Sequence, residues 1–173
     1  YDYYGTDVAA AKATGNYQTY GVLYNWPAAM DGLVSSNTVP SGIKGACPDG
    51  WHIPSDEEWK ILEGEVDSYY DYPDPEWDII GYRGFDAALN LKTTYGWSSG
   101  GNGTDLFDFS ARPGGWKPGY GDFSDIGYVG HFWSSTENYT NNAWRRGLSA
   151  LHDAGARGSD DGSTGFSSRC VKD

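Results

Sequence analysis

From Arg145 to Thr164 the chain has no tryptophan, tyrosine or phenylalanine, although these three supply 16% of its residues overall. The segment, RRGLSALHDAGARGSDDGST, also lacks the apolar period of a core element. A plain linker would not run straight into Gly165-Phe166-Ser167-Ser168-Arg169-Cys170-Val171-Lys172-Asp173, which is again dense in structural residue types. The window therefore reads as a surface whose contents are set by something other than packing.

Basic residues are scarce too, with 12 Lys and Arg against 24 Asp and Glu and a net charge of −12. That field repels phosphate backbones and anionic lipid, which argues against nucleic acid or a membrane surface as partner. It favours cationic partners or metal ions. No apolar run has the length of a membrane span, and no signal peptide or lipobox is visible. Cysteine is limited to Cys47 and Cys170, a spacing that fits neither a zinc finger nor a redox motif. The pair is either a disulfide, contributing about 4–5 kcal/mol in the chain-entropy model, or two separate buried thiols. A disulfide would imply an oxidising compartment.

Catalytic signatures are missing as well. His52, His131 and His152 have no metal-ligand spacing, and there is no His-x-x-x-His or Cys-x-x-Cys. Ser134-Ser135-Thr136 lacks a nucleophile elbow, and the glycine-rich patches do not precede helices as phosphate loops do. His52, between Trp51 and Ile53 at a helix entrance, reads as a structural histidine. No catalytic activity is expected.

What is present is a frame. Eight Trp and fourteen Tyr give the core bulk, and 25 Gly with eight Pro indicate short strands and tight turns. A single domain over residues 1–173 is expected, since that length can bury its own core. Ser55 followed by Glu58 is a capping box, and Trp59, Leu62 and Val66 fall on one face of the helix it starts. That helix is expected to end by Tyr70, before the acidic loop from Asp71 to Asp78. A second, shorter helix is expected around Phe85 to Lys92. Strands are expected at Gly21–Trp26 (running into a helical turn to Met30), Val129–Glu137, Ala143–Ala150 and Gly165–Val171. The fold class is α+β: two helices early, with small antiparallel sheets and a loop-rich second half.

Five ordered blocks carry a resemblance. Tyr20-Gly21-Val22-Leu23-Tyr24-Asn25-Trp26, Cys47-Pro48-Asp49-Gly50-Trp51-His52-Ile53-Pro54-Ser55-Asp56-Glu57-Glu58-Trp59, Phe109-Ser110-Ala111-Arg112-Pro113-Gly114-Gly115, Phe132-Trp133-Ser134-Ser135-Thr136-Glu137 and Arg169-Cys170-Val171-Lys172-Asp173 together resemble the Fibrobacter succinogenes major paralogous domain. The resemblance implies a C-type-lectin-like fold and an exported protein of Fibrobacter or Bacteroidetes type. It also implies tyrosines where this chain has Arg145, Gly147, Ala150, Ala156, Asp160 and Thr164, whereas Arg146, Leu148 and Arg157 follow the pattern.

C-type-lectin-like domains also serve as variable proteins of diversity-generating retroelements. Those systems randomise template adenines, and an Asn codon treated this way cannot become Trp, Met, Gln, Glu or Lys. None of the five occurs from Arg145 to Thr164, although elsewhere they make up about one residue in seven. The window is accordingly expected to be a diversified binding segment for a protein or other surface ligand, shown on a cell surface, outside the cell or on a phage particle. The candidate ligand-binding residues are Arg145, Gly147, Ser149, Ala150, Leu151, His152, Asp153, Ala156, Arg157, Ser159, Asp160, Asp161 and Thr164, with arginine as the best anchor.

The resemblance also raises two other functions. The formylglycine-generating relatives need a reactive cysteine pair near the substrate, and Cys47 and Cys170 read instead as a staple. The sugar motifs of calcium lectins are absent: Glu137-Asn138-Tyr139 lacks the proline. No cofactor is expected. Calcium is the one metal the acidic loops Asp71–Asp78 and Gly100–Asp108 suggest, with solvated loops the plainer reading.

Overall fold

The computed structural model describes residues 7–173. Three short helices come first: α1 (Val8–Lys12), α2 (Gly15–Tyr20) and α3 (Trp26–Met30), each with an Asp, Thr or Asn side chain capping its N-terminus. β1 (Trp51–His52) leads into α4 (Asp56–Val66), and β2 (Gly81–Arg83) precedes α5 (Ala87–Leu91). The second half holds β3 (Val129–Tyr139), β4 (Asn142–Ser149), β5 (Gly155–Asp161) and β6 (Val171–Lys172). The strands form two antiparallel sheets, one of order β2-β5-β4-β3 and a smaller one that pairs β1 with β6. The fold is α+β.

α4 starts where the capping box places it. Ser55 Oγ accepts from the Glu58 amide at 3.1 Å, and Glu58 Oε2 accepts from the Ser55 amide at 2.9 Å. It ends at Val66, where the buried Asp67 turns the chain by accepting from the amides of Tyr69 and Tyr70. Its other carboxylate oxygen accepts from Phe85, Asp86 and Ala87 at 2.8, 3.0 and 3.0 Å. One side chain thus closes α4 and caps α5 from outside its own sequence.

Two apolar clusters flank the larger sheet. Trp59 and Val66 of α4 join Leu91, Phe132 and Leu148 on one side, with Leu62 packed against them. Met30, Cys47, Ile53, Trp133 and Phe166 form the other. Trp26 Nε1 donates to the Ser134 carbonyl and Trp133 Nε1 to the Tyr24 carbonyl, at 2.8 and 2.9 Å, so blocks distant in sequence lock together. Cys47 and Cys170 are bonded, across a sequence separation of 123 residues.

Several elements depart from expectation. Among the described residues there are five α-helices rather than two dominant ones. Gly21–Asn25 is not a strand: Tyr24 alone pairs, with Phe166. In 165–171 the pairing is broken into single bridges at Gly165, Phe166 and Ser167 before β6, because each meets a different segment. β5 was not expected, since Gly-Ala-Arg-Gly-Ser-Asp-Asp has no β-branched or aromatic residue.

Candidate functional site

The aromatic-free window is not a loop. It supplies most of β4, all of β5 and the turn between them, and these are the two inner strands of the four-stranded sheet. Arg146 stands opposite Arg157, Gly147 opposite Ala156 and Arg145 opposite Gly158. Side chains alternate across a sheet, so this register sorts the window into two unlike faces.

The inner face meets α4 and is charged. Arg146 Nη1 donates to Asp56 Oδ1 at 2.6 Å and its Nε donates to Glu63 Oε2 at 2.7 Å. Arg157 reaches the same Asp56, Nη2 to Oδ2 at 2.8 Å and Nε to Oδ1 at 3.0 Å. Arg83 of β2 donates to Glu63 Oε2 at 2.5 Å. All five side chains are buried. The Arg157 guanidinium also lies 3.6 Å from the Trp144 ring centroid. Burial raises the Asp56 carboxyl, but Arg146 and Arg157 outweigh it and hold its pKa down to about 2. Burial is the main cause that lowers the Arg83 guanidinium to about 10, still charged at neutral pH. Three guanidiniums share two carboxylates, so loss of either acid would strand buried positive charge.

The outer face is small-residued and half-buried, with Gly147 beneath the Arg145 side chain. Arg145, Gly147, Ala156 and Gly158 line a groove of about 340 Å³, and Asp160 lies one position beyond Gly158 on the same face of β5. Arg145 Nε donates to Asp160 Oδ2 at 2.8 Å. A Cβ on Gly147 would sit 2.7 Å from Arg145 Nη1, and one on Gly158 would sit 3.3 Å from Arg145 Cζ. The guanidinium therefore lies over both glycines, which leave it the space. His131 of β3 borders the same groove, its ring 5.0 Å from that of Phe166 and its Nδ1 buried without a hydrogen-bond partner among the described residues. Burial first, then the charge on Arg145, pushes its pKa down to about 3, so the ring is neutral. The missing aromatic comes from next door: Tyr82 of β2, half exposed, stacks on His152 at 3.8 Å between centroids.

The thirteen window candidates divide accordingly. Arg145, Gly147, Ala156 and Asp160 share the outer face, and Leu151, His152 and Asp153 are exposed on the adjoining turn. Lys92 Nζ clamps that turn by donating to the carbonyls of Ser149 and His152, at 2.9 and 3.0 Å. Ser149, Ala150 and Thr164 are buried frame residues. Ser159 is half-buried and accepts from Asn138, while Asp161 holds the turn into Ser163. Arg157 corrects the expectation of a partner-facing anchor, because its guanidinium is directed inward onto Asp56. Arg146, Asp56, Glu63 and Arg83 were not singled out as a unit. The available signal was Asp56 and Glu63, seven residues apart on the face of α4 that also carries Trp59 and Val66.

His52 sits buried between Glu58 Oε1 at 2.8 Å and Asp173 Oδ1 at 2.6 Å, a structural position. Several carboxylates of the acidic loops are engaged internally. Asp74 caps a turn, Asp78 pairs with Lys60 and Asp105 holds Ser110. Among the described residues no three His, Cys, Asp or Glu side chains gather as metal ligands would, and no helix is long and apolar enough to cross a membrane.

Against known families, residues 1–172 match the one described as the Fibrobacter succinogenes major domain. The chain belongs to that family. Within this Fibrobacter succinogenes major domain the Trp26–Ser134 and Trp133–Tyr24 hydrogen bonds join the first and fourth sequence blocks, the Cys47–Cys170 bond joins the second and fifth, and the Ser135 amide, donating to the Pro54 carbonyl at 2.9 Å, ties the two pairs into one frame. No curated protein and no solved structure matches the chain.

Proposed function

We propose that this domain binds a ligand rather than catalysing a reaction, outside the cell or on a cell or phage surface. The ligand, a protein in this reading, lies on the outer face of the four-stranded sheet. The frame is a C-type-lectin-like one, and a diversity-generating retroelement exchanges the residues of that face. One observation carries the reading. Four of the six positions where the family resemblance places tyrosines, Arg145, Gly147, Ala156 and Asp160, fall together on the outer face. The pattern-following Arg146, Leu148 and Arg157 fall on the inner face, in the charge network and the core. Strand alternation thus separates what varies from what holds the sheet to α4. The absence of Trp, Met, Gln, Glu and Lys from the whole window supports adenine-directed exchange.

The test is the DNA around the gene. A reverse-transcriptase gene beside a near-copy of the coding sequence for 145–164, differing only at template adenines, is the expected result. A genome without such a copy overturns diversification and leaves an undiversified adhesion or polysaccharide-binding domain of the same family.

A further inference from the structure

A second, larger groove of about 570 Å³ lies away from the window, walled by α4, residues 107–109 and residues 169–171. Its lining is mostly apolar: Trp59, Ile61 and Leu62 from the helix, Phe107 from the loop and Val171 from the tail. Phe107 and Val171 are exposed, 50% and 39%. Arg169 is fixed at the base, stacked on Phe109 at 4.3 Å and donating to the Phe109 carbonyl, so its charge is committed.

Two carboxylates are uncommitted. Glu65 on α4 and Asp108 on the loop line the groove and are exposed, and neither side chain takes part in a hydrogen bond or ion pair within the described residues. An apolar cleft with free acids on its rim, in a chain of net charge −12, has its complement in an apolar group flanked by positive charge. A second copy does not meet that requirement, since two such chains repel.

We propose that this groove docks a protein segment that places a leucine- or phenylalanine-sized side chain against Leu62 and Phe107, with Lys or Arg on either side meeting Glu65 and Asp108. The site is independent of the outer sheet face. Docking is read as a side chain in a cleft, with electrostatics choosing the partner.

The experiment uses three labelled octapeptides with a central Leu-Phe and flanks of Lys, Ser or Glu, titrated by fluorescence anisotropy at low salt. The Lys peptide should bind tightest and the Glu peptide weakest. Glu65→Gln with Asp108→Asn should weaken the Lys peptide by roughly three- to tenfold and remove the flank preference. Phe107→Ser, at an exposed position, should weaken all three by about tenfold. Equal affinity for the three peptides, no binding by the Lys peptide, or unchanged binding in these variants would each overturn the proposal. So would self-association in sedimentation that Phe107→Ser abolishes, because the occupant would then be a second copy.

Discussion

Arg146 and Arg157 stand opposite each other on β4 and β5 and close on a single carboxylate, Asp56 at the first turn of α4. The contact fixes the helix to the two strands that also carry the proposed binding face. Glu63 and Arg83 extend it to β2, so all three strands are tied to one helix by charge.

Removing the shared acid should be far more costly than removing its counterpart on the other face. Asp56→Asn leaves three buried guanidiniums with one carboxylate and should cost about 3–5 kcal/mol in urea unfolding. Asp160→Asn, at the partly exposed Arg145 pair, should cost under about 1 kcal/mol. Similar losses for the two would show that the inner network is not what holds the sheet to α4.

Stability should depend on pH with opposite signs at two histidines. His131 has its pKa lowered in the fold to about 3. Its contribution is therefore present above the ordinary histidine value and is lost as pH falls from about 6.5 towards 3, each unit being about 1.4 kcal/mol. For His52, burial lowers the pKa, but hydrogen bonds to Asp173 and Glu58 outweigh it and raise the pKa overall. Its contribution is full below that ordinary value and fades as pH rises through the raised one. Asp56, held at about 2, adds a further loss below about pH 4. Melting temperature should thus peak near pH 6.5. His131→Phe should flatten the acid limb down to about pH 4, and His52→Gln the alkaline limb.

The bridge between Cys47 and Cys170 closes most of the chain, so Cys47→Ser with Cys170→Ser should cost about 4–5 kcal/mol in the entropy model. Melting with and without reductant measures it. Loss of reductant sensitivity in the double variant, with its frame intact at low temperature, is the expected companion result.

Two glycines distinguish a rigid neighbour from a yielding one. A Cβ on Gly101 would stand 2.0 Å from the Ala150 carbonyl oxygen, so Gly101→Ala should cost more than about 2 kcal/mol. The Cβ on Gly147 meets the end of Arg145 at 2.7 Å and the His131 ring. Gly147→Ala should therefore cost less, and part of that cost should vanish in an Arg145→Ala background, a coupling of about 0.5–1 kcal/mol. Additive behaviour would show that Arg145 does not rest over Gly147.

Much of the frame could be read from local chemistry. Ser55 and Glu58 announce the start of α4, and its apolar stripe of Trp59, Leu62 and Val66 packs as the spacing implies. The family blocks marked the frame, and the compositional gap marked the window. β5 was hidden because its pairing comes from β4 and β2 on either side, not from its own residues. The direction of Arg157 was hidden for a related reason. A charged residue in a polar stretch reads as exposed, and only the register with Arg146 turns it towards Asp56. The capping of α5 by Asp67 depends on a contact across eighteen to twenty residues that no local pattern encodes.

The central claim is that one face of the sheet is free to vary and bind while the other is fixed. Two displayed libraries test it most directly, one randomising Arg145, Gly147, Ala156 and Asp160, the other Arg146, Leu148 and Arg157. Both are sorted for folding and for capture of a single protein target. The account predicts that the first library stays folded and yields binders, and that the second is lost at the folding sort. Folded inner-face variants in equal number, or an outer-face library that folds and gives no binders, would contradict it.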